Sequence, residues 1–124
     1  MRREDKGAEV AKYLFIFNDS PYGSQRAHNG LRLAAAVARK APIRVFLLGD
    51  GVTCALAGLN PAHADYNPQE LLKQMAATGA SISVCGTCME ARGIPAESLI
   101  PESKRSSMDE LVAWTEECEK VLSF

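Results

Sequence analysis

An open α/β sandwich, with a mainly parallel sheet between helical layers, is the fold this sequence predicts, on three observations. Two short runs, Tyr13–Phe17 and Ile43–Leu48, are largely apolar and β-branched or aromatic, the pattern of strands covered on both faces. Segments of helical period alternate with them along the chain. Each strand candidate ends in a loop that leads into a helix, which is the connection parallel strands require.

Tyr13-Leu14-Phe15-Ile16-Phe17 closes on Asn18-Asp19-Ser20-Pro21-Tyr22-Gly23, a turn-forming string, and so reads as a strand followed by a loop. From Ser24, the residues Ala27, Leu31, Ala34, Val37 and Ala38 recur at helical spacing until Ala41-Pro42. Ile43 to Leu48 repeats the strand pattern, Gly49-Asp50-Gly51 punctuates it, and a short helix is expected from Val52 to Leu59. Asn60 to Tyr66, with Pro61, His63 and Asp65, has no period and reads as an exposed loop.

Asn67 as N-cap, Pro68 at the first helical position and Glu70 after them open the next helix, with Leu71, Leu72, Met75 and Ala76 as its buried stripe and Gly79 as its stop. Ala80 to Val84 is a short strand, and Cys85-Gly86 is the turn after it. Thr87 and Glu90 suggest a capping box for a short helix that Gly93-Ile94-Pro95 ends, and Ser98-Leu99-Ile100 suggests a brief strand. Ser107 and Glu110 suggest another capping box, starting a last helix near Met108 with Leu111, Trp114 and Cys118 on its apolar side. Val121 to Phe124 reads either as the end of that helix or as an edge strand. One domain is expected over 12–124, after a charged tail at 1–11.

Composition narrows the function. With 124 residues, 47% hydrophobic and 23% charged, the chain has a globular composition and room for one core. Its 14 Lys and Arg against 15 Asp and Glu give a net charge of -1, which disfavours nucleic acid as a partner. The apolar runs fall far short of the roughly 20 residues that cross a bilayer, so no membrane span is expected. The opening Met1-Arg2-Arg3-Glu4-Asp5-Lys6 is followed by no apolar signal region, which makes the cytoplasm the expected address. There the four cysteines, Cys54, Cys85, Cys88 and Cys118, are expected as thiols.

Parallel sheets bind ligands at the carboxyl ends of their strands, where the loops Asn18–Gly23, Gly49–Gly51 and Cys85–Cys88 are expected to meet. Cys85 ends a strand and Cys88 is expected at the first helical position, so both face free amides that favour a thiolate. Arg92, one turn beyond Cys88, could add a stabilising charge, and Gly86 would let the backbone approach a sulfur-bearing ligand. The plain alternative is that these cysteines are small buried hydrophobes, which is the better account of Cys118 and Cys54. No zinc site is expected within one chain, since His28, His63, Cys54 and Cys118 are scattered. Neither the Rossmann nor the P-loop glycine spacing occurs, which argues against a nucleotide site. No cofactor is expected. Trp114 and Tyr66 read as packing or interface residues.

Three segments resemble the DsrE/DsrF-like family of small sulfur-handling α/β proteins, over about Lys12 to Phe124. They are Phe15–Gly23 running into Arg26–Ala34, Val45–Val52, and Val84-Cys85-Gly86-Thr87-Cys88-Met89-Glu90-Ala91-Arg92-Gly93-Ile94, the last being the most specific. The resemblance implies a five-stranded parallel sheet flanked by helices, flavodoxin-like in appearance, and homotrimers or homohexamers with the cysteine loop near a subunit boundary. It implies that Cys85 is the position that carries sulfur as a persulfide. Cys88 sets this chain apart from the best-characterised relay subunits and resembles a YchN-like branch.

The resulting expectation is a sulfur carrier or sulfurtransferase in which Cys85 takes sulfane sulfur from a donor protein or small persulfide, and Cys88 resolves the persulfide or closes a disulfide. Thr87 and Arg92 would stabilise sulfur anions, and Asn18, Asp19, Tyr22, Gly23 and Gly86 would shape the pocket. Two other classes remain open: an oligomeric module that binds an anionic metabolite without catalysis, and a dithiol-disulfide redox protein.

Overall fold

The computed structural model describes residues 11–23, 25–59, 61 and 66–124. Tyr13–Phe17 is strand β1, joined by helix α1 (Gln25–Ala38) to strand β2 (Ile43–Leu47). A 3-10 turn, Gly49–Ala55, and helix α2 (Pro68–Ala77) lead to strand β3 (Ser81–Cys85). Helix α3 (Gly86–Ala91), strand β4 (Ser103–Ser106), helix α4 (Met108–Glu117) and strand β5 (Lys120–Ser123) complete the order. The sheet has five strands in the order β4-β3-β2-β1-β5, all paired in parallel.

The three inner strands are the ones with apolar residues to bury. Leu14, Phe15, Phe17, Val45, Phe46, Leu47 and Val84 have no exposed surface, which at roughly 1.5–3 kcal/mol per large side chain makes these strands the main source of stability. Strand alternation sends the chain's side chains to two faces. On one, the Phe15 and Phe17 rings stack on Phe124. On the other, Phe46 meets Trp114 of α4 edge-on, and the Arg44 guanidinium lies 5.2 Å from the centre of the Trp114 ring while pairing with Glu117.

Several local expectations give way to tertiary partners. The segment expected as a helix from Val52 to Leu59 is instead the 3-10 turn Gly49–Ala55. Ser98-Leu99-Ile100 is not a strand of the sheet: Ala96–Ser98 is a 3-10 turn, and Leu99 makes one isolated bridge to Leu56. The edge strand is the polar Ser103–Ser106, which follows it and pairs with Ile82–Cys85. Val121 to Phe124 is resolved as the edge strand β5 with one further residue, after a helix that ends at Glu117. The first helix stops at Ala38, short of the expected Ala41. Asn67 caps α2 as its sequence required, its side-chain oxygen accepting from the Glu70 amide at 3.1 Å. The charged tail at 1–10, Ser24, and Asn60, His63 and Asp65 of the expected loop lie outside the described residues.

Ser107 is the N-cap of α4 but makes no side-chain cap bond, so no capping box forms with Glu110. Glu110 turns to the sheet instead. One of its carboxylate oxygens accepts from Ser83 Oγ at 2.5 Å and Ser106 Oγ at 2.6 Å, and the other from Lys104 Nζ at 3.2 Å. Burial resists ionisation here, but the two hydroxyls and the Lys104 ammonium outweigh it and hold the Glu110 carboxyl below the usual range. Ser83 is fully buried, so Glu110→Ala strands its hydroxyl and is expected to cost about 1–3 kcal/mol. A carboxylate with a depressed folded-state pKa stabilises above its unfolded pKa and loses that contribution as pH falls through the folded value. Urea unfolding at pH 7 and below pH 4 should therefore show the wild type losing more stability on acidification than Glu110→Gln does.

Candidate functional site

Cys85 is the N-cap of α3, with Gly86, Thr87 and Cys88 as the first three helical residues. The helix thus begins two residues before Cys88, not at it. No capping box forms between Thr87 and Glu90, because the helix starts before Thr87 and Glu90 pairs with Arg105. Thr87 Oγ1 lies 3.3 Å from the Cys85 sulfur. By strand alternation Cys85 shares the face of Ser83, towards α4.

The two thiols are driven apart in acidity. Burial pushes the Cys85 thiol up, but the Cys88 thiol, the Thr87 hydroxyl and the backbone amides of Cys88 and Thr87 all donate to its sulfur, and together they hold it below the ordinary cysteine range. Cys88 moves the other way. Burial raises it, as do its bond to Cys85 and the Cys85 charge, against the Gly49 amide and the Arg92 guanidinium, which lower it. Cys85 is thus the more acidic of the two thiols and Cys88 the one that donates to it. Their exposure runs in the opposite sense: Cys85 is 3% exposed, Cys88 is half-buried and Thr87 is exposed.

Neighbouring strands complete the rim. Arg92 caps the end of α3, donates to the Cys88 carbonyl at 3.1 Å, and holds Asp50 with contacts of 3.0 and 2.8 Å. Its charge acts on Cys88, so the expected support for a sulfur anion falls on the second cysteine. Gly86 serves Arg105 of β4: a Cβ at Gly86 would lie 2.8 Å from Arg105 Nε and 2.9 Å from its Cζ. The space that the sequence offers to a sulfur ligand at Gly86 is filled by that guanidinium. Gly51 packs against the end of β1, where its Cβ would stand 2.6 Å from the Phe17 carbonyl carbon.

The first loop divides. The Asn18 amide group donates to the Phe124 carbonyl at 3.4 Å, and the Asn18 backbone amide donates to the same oxygen at 2.7 Å, which ties β1 to the end of β5. A Cβ at Gly49 would lie 3.5 Å from the Asn18 carbonyl, which places Asn18 beside the Gly49 turn. Asp19 pairs with Arg26 at 3.3 Å. Tyr22 turns to α2, where its hydroxyl accepts from Gln69 Nε2 at 3.0 Å. Gly23 has a positive φ of 88° and is exposed, which makes it a turn residue. Asp19 and Tyr22 therefore gather around Cys54 and Gln69, and no contact described here joins them to Cys85.

Cys54 is fully buried and burial pushes its thiol up to about 12, which removes it as a nucleophile. Burial likewise raises Cys118, with Glu117 adding to it and Arg44 opposing. Among the described residues no group of three or more His, Cys, Asp or Glu could hold a metal ion, and no helix is long and apolar enough to cross a membrane. Arg105 is the residue that the sequence did not single out, and it pairs with Glu90, read there only as part of a capping box, while Gly49 of the rim loop acts through its amide. Parallel pairing of β4 beside β3 brings Arg105 there, and the polar string Ser103–Ser106 carried no strand signal.

The model of the DsrE/DsrF-like family matches residues 11–124. Protein YchN of Escherichia coli K12 is 36% identical over 118 residues, covering 93% of this chain and 100% of that protein. The uncharacterized protein MJ0989 of Methanocaldococcus jannaschii is 38% identical over 114 residues, covering 91% of this chain and 99% of its own length. A protein named TusC homolog from Vibrio parahaemolyticus is 27% identical over 119 residues, covering 93% of this chain and 100% of that protein. The crystal structure of YchN from E. coli superposes with a TM-score of 0.85, covering 93% of this chain and 100% of that one. With the family model spanning the whole described domain, and the parallel five-stranded sheet shared with YchN, this chain belongs to the DsrE/DsrF-like family.

Proposed function

We propose that the protein is a sulfur-relay carrier that holds sulfane sulfur as a persulfide on Cys85. The observation that carries this reading is the set of four donors aimed at the Cys85 sulfur, from Cys88, from Thr87 and from their two amides. A thiolate is the nucleophile in sulfur exchange, and these donors favour it over the thiol at Cys85. Membership of the family and the likeness to the TusC homolog support sulfur as the cargo.

The Cys85 thiolate attacks the outer sulfur of a donor persulfide. A Cys85–S bond forms, the donor's S–S bond breaks, and the donor leaves as a thiolate, so no net oxidation occurs. Transfer to an acceptor thiolate is the same exchange in reverse. Cys85 is nearly covered within one chain, and the exposed Thr87 side chain lies on its sulfur. Rotation of that small side chain, a picosecond to nanosecond event for an exposed residue, opens the way. Thr87 and the helix-start amides then hold the persulfide anion, while Arg92 acts through Cys88.

Donor and acceptor proteins are the partners this reading requires, and the cytoplasm is the compartment that keeps the thiols reduced. A homotrimer or homohexamer is the proposed assembly. Met108 and Val112 of α4 and Val121 of β5, at 55%, 52% and 46% exposed, are apolar surface that such contacts would cover.

The test is incubation with inorganic polysulfide, desalting and peptide mapping by mass spectrometry. The peptide holding Cys85 should gain one sulfur, about 32 Da. Sulfur found only on Cys54 or Cys118, or on no cysteine, removes the proposal.

A further inference from the structure

The sequence leaves open whether Cys88 resolves the persulfide or closes a disulfide, and beyond its bond to Cys85 its sulfur has supports of its own. The Gly49 amide points at it from the β2 loop, and Arg92, fixed by Asp50 and by the Cys88 carbonyl, brings a positive charge beside it. A thiol that merely donated to Cys85 would need neither. Cys88 also sits on the same helical turn as Cys85, three residues on, and is the more exposed of the two. Sulfur entering or leaving Cys85 therefore passes close to a second thiol, at which an amide and a guanidinium oppose the burial and the Cys85 charge that raise it.

We infer that Cys88 is a discharging nucleophile: it cleaves the persulfide on Cys85 and releases the outer sulfur as hydrosulfide. This rests on the carrier reading and adds a second fate for the sulfur, reduction in place of transfer. The Cys88 sulfur attacks the inner sulfur of Cys85–S–S⁻, the bond between inner and outer sulfur breaks, and the Cys88 proton passes to the departing atom. The products are a Cys85–Cys88 disulfide and HS⁻. One negative charge stands on each side. The sulfane sulfur is reduced to sulfide, and the two cysteine sulfurs are oxidised by the same two electrons. A small-molecule dithiol or a reduced dithiol protein then opens the disulfide.

Persulfide formation prepares this step. Part of what holds Cys88 protonated is the thiolate at Cys85, and loading moves that charge out to the next sulfur atom. The Gly49 amide and Arg92 remain where they are, so the proton of Cys88 is freer to leave. The groups that act on its sulfur are Cys85, the Gly49 amide and Arg92, which Asp50 holds from the β2 loop side.

The experiment loads the full chain with inorganic polysulfide, removes excess reagent by rapid desalting without thiols, and follows intact mass and free sulfide by bimane trapping. In the wild type the species about 32 Da heavier should decay to one about 2 Da lighter than the starting protein, with one sulfide released per chain. Cys88→Ser keeps a hydroxyl donor but no nucleophile, and its persulfide should outlast the wild type's by at least about 10-fold, with no sulfide. Arg92→Gln, which keeps both cysteines, should release sulfide more slowly than the wild type. Persulfides of equal lifetime in wild type and Cys88→Ser, without sulfide, overturn the release step and leave the carrier standing. Absence of the heavier species in all three removes carrier and release together.

Discussion

Gly51→Ala is expected to destabilise the protein by about 1–3 kcal/mol, the range of a side chain forced into a filled space. The Gly51 Cβ would fall 2.6 Å from the Phe17 carbonyl carbon and nearer still to its oxygen, and both are backbone atoms of a fully buried residue on an inner strand. That oxygen already accepts from the Leu48 amide at 2.8 Å, while the Gly51 amide donates to the Leu48 carbonyl at 2.7 Å. Neither the strand nor the tight turn can yield without losing one of these bonds. The Gly49–Ala55 turn would have to lift off the end of β1, taking with it the amide that supports the Cys88 sulfur. Urea denaturation measures the loss, and wild-type stability in the variant would mean that the turn adjusts freely.

Cys85→Ser should abolish sulfur loading and remove the fast phase of alkylation by iodoacetamide at pH 7, down to the background set by the other cysteines. A serine hydroxyl at the same site keeps the contact with Thr87 but does not ionise near neutrality, so the nucleophile is lost while the helix start is retained. Cys54→Ser and Cys118→Ser should leave loading where it was, because burial raises both thiols, that of Cys54 to about 12. Polysulfide loading followed by intact mass decides between these outcomes. Loading that survives in Cys85→Ser would assign the cargo to another cysteine.

The parts of the fold that were legible in the sequence are those whose local signals agree with their tertiary surroundings. Tyr13–Phe17 and Ile43–Leu47 are strands because their residues, Arg44 apart, are apolar or aromatic on both faces, and both faces are covered. Asn67-Pro68-Gln69-Glu70 names the start of α2 because the cap needs only neighbours in the chain. The fourth strand was hidden for the opposite reason. Ser103-Lys104-Arg105-Ser106 is polar throughout, since an edge strand can be held by backbone bonds to β3 and side chains reaching over to α3 and α4. The two failed capping boxes share one cause. Glu90 and Glu110 had the right spacing, but each found a cation on β4, Arg105 and Lys104, that no short-range pattern could announce.

The site was legible as a place and only partly as an arrangement. Cys85 at a strand end, followed by the opening turn of a helix, is what Val84-Cys85-Gly86-Thr87-Cys88 spells. Which partner serves which sulfur depends on strand order, and that is how Arg92 comes to act on Cys88 and Arg105 to occupy the space at Gly86. Tyr22 and Asp19 belong to a loop of the same rim, and their side chains meet Gln69 and Arg26, partners that the sequence pattern does not announce.

The activation of Cys85 is tested most directly by the pH dependence of its alkylation rate, read from the fragment ions of the digest peptide that carries both Cys85 and Cys88. Four hydrogen-bond donors on the sulfur should bring half-maximal reactivity below about pH 8.5, the value of a free cysteine, with Cys88 titrating above Cys85. A midpoint for Cys85 at or above that of a free cysteine would mean that burial wins over the donors, and the thiolate on which sulfur transfer depends would not be there.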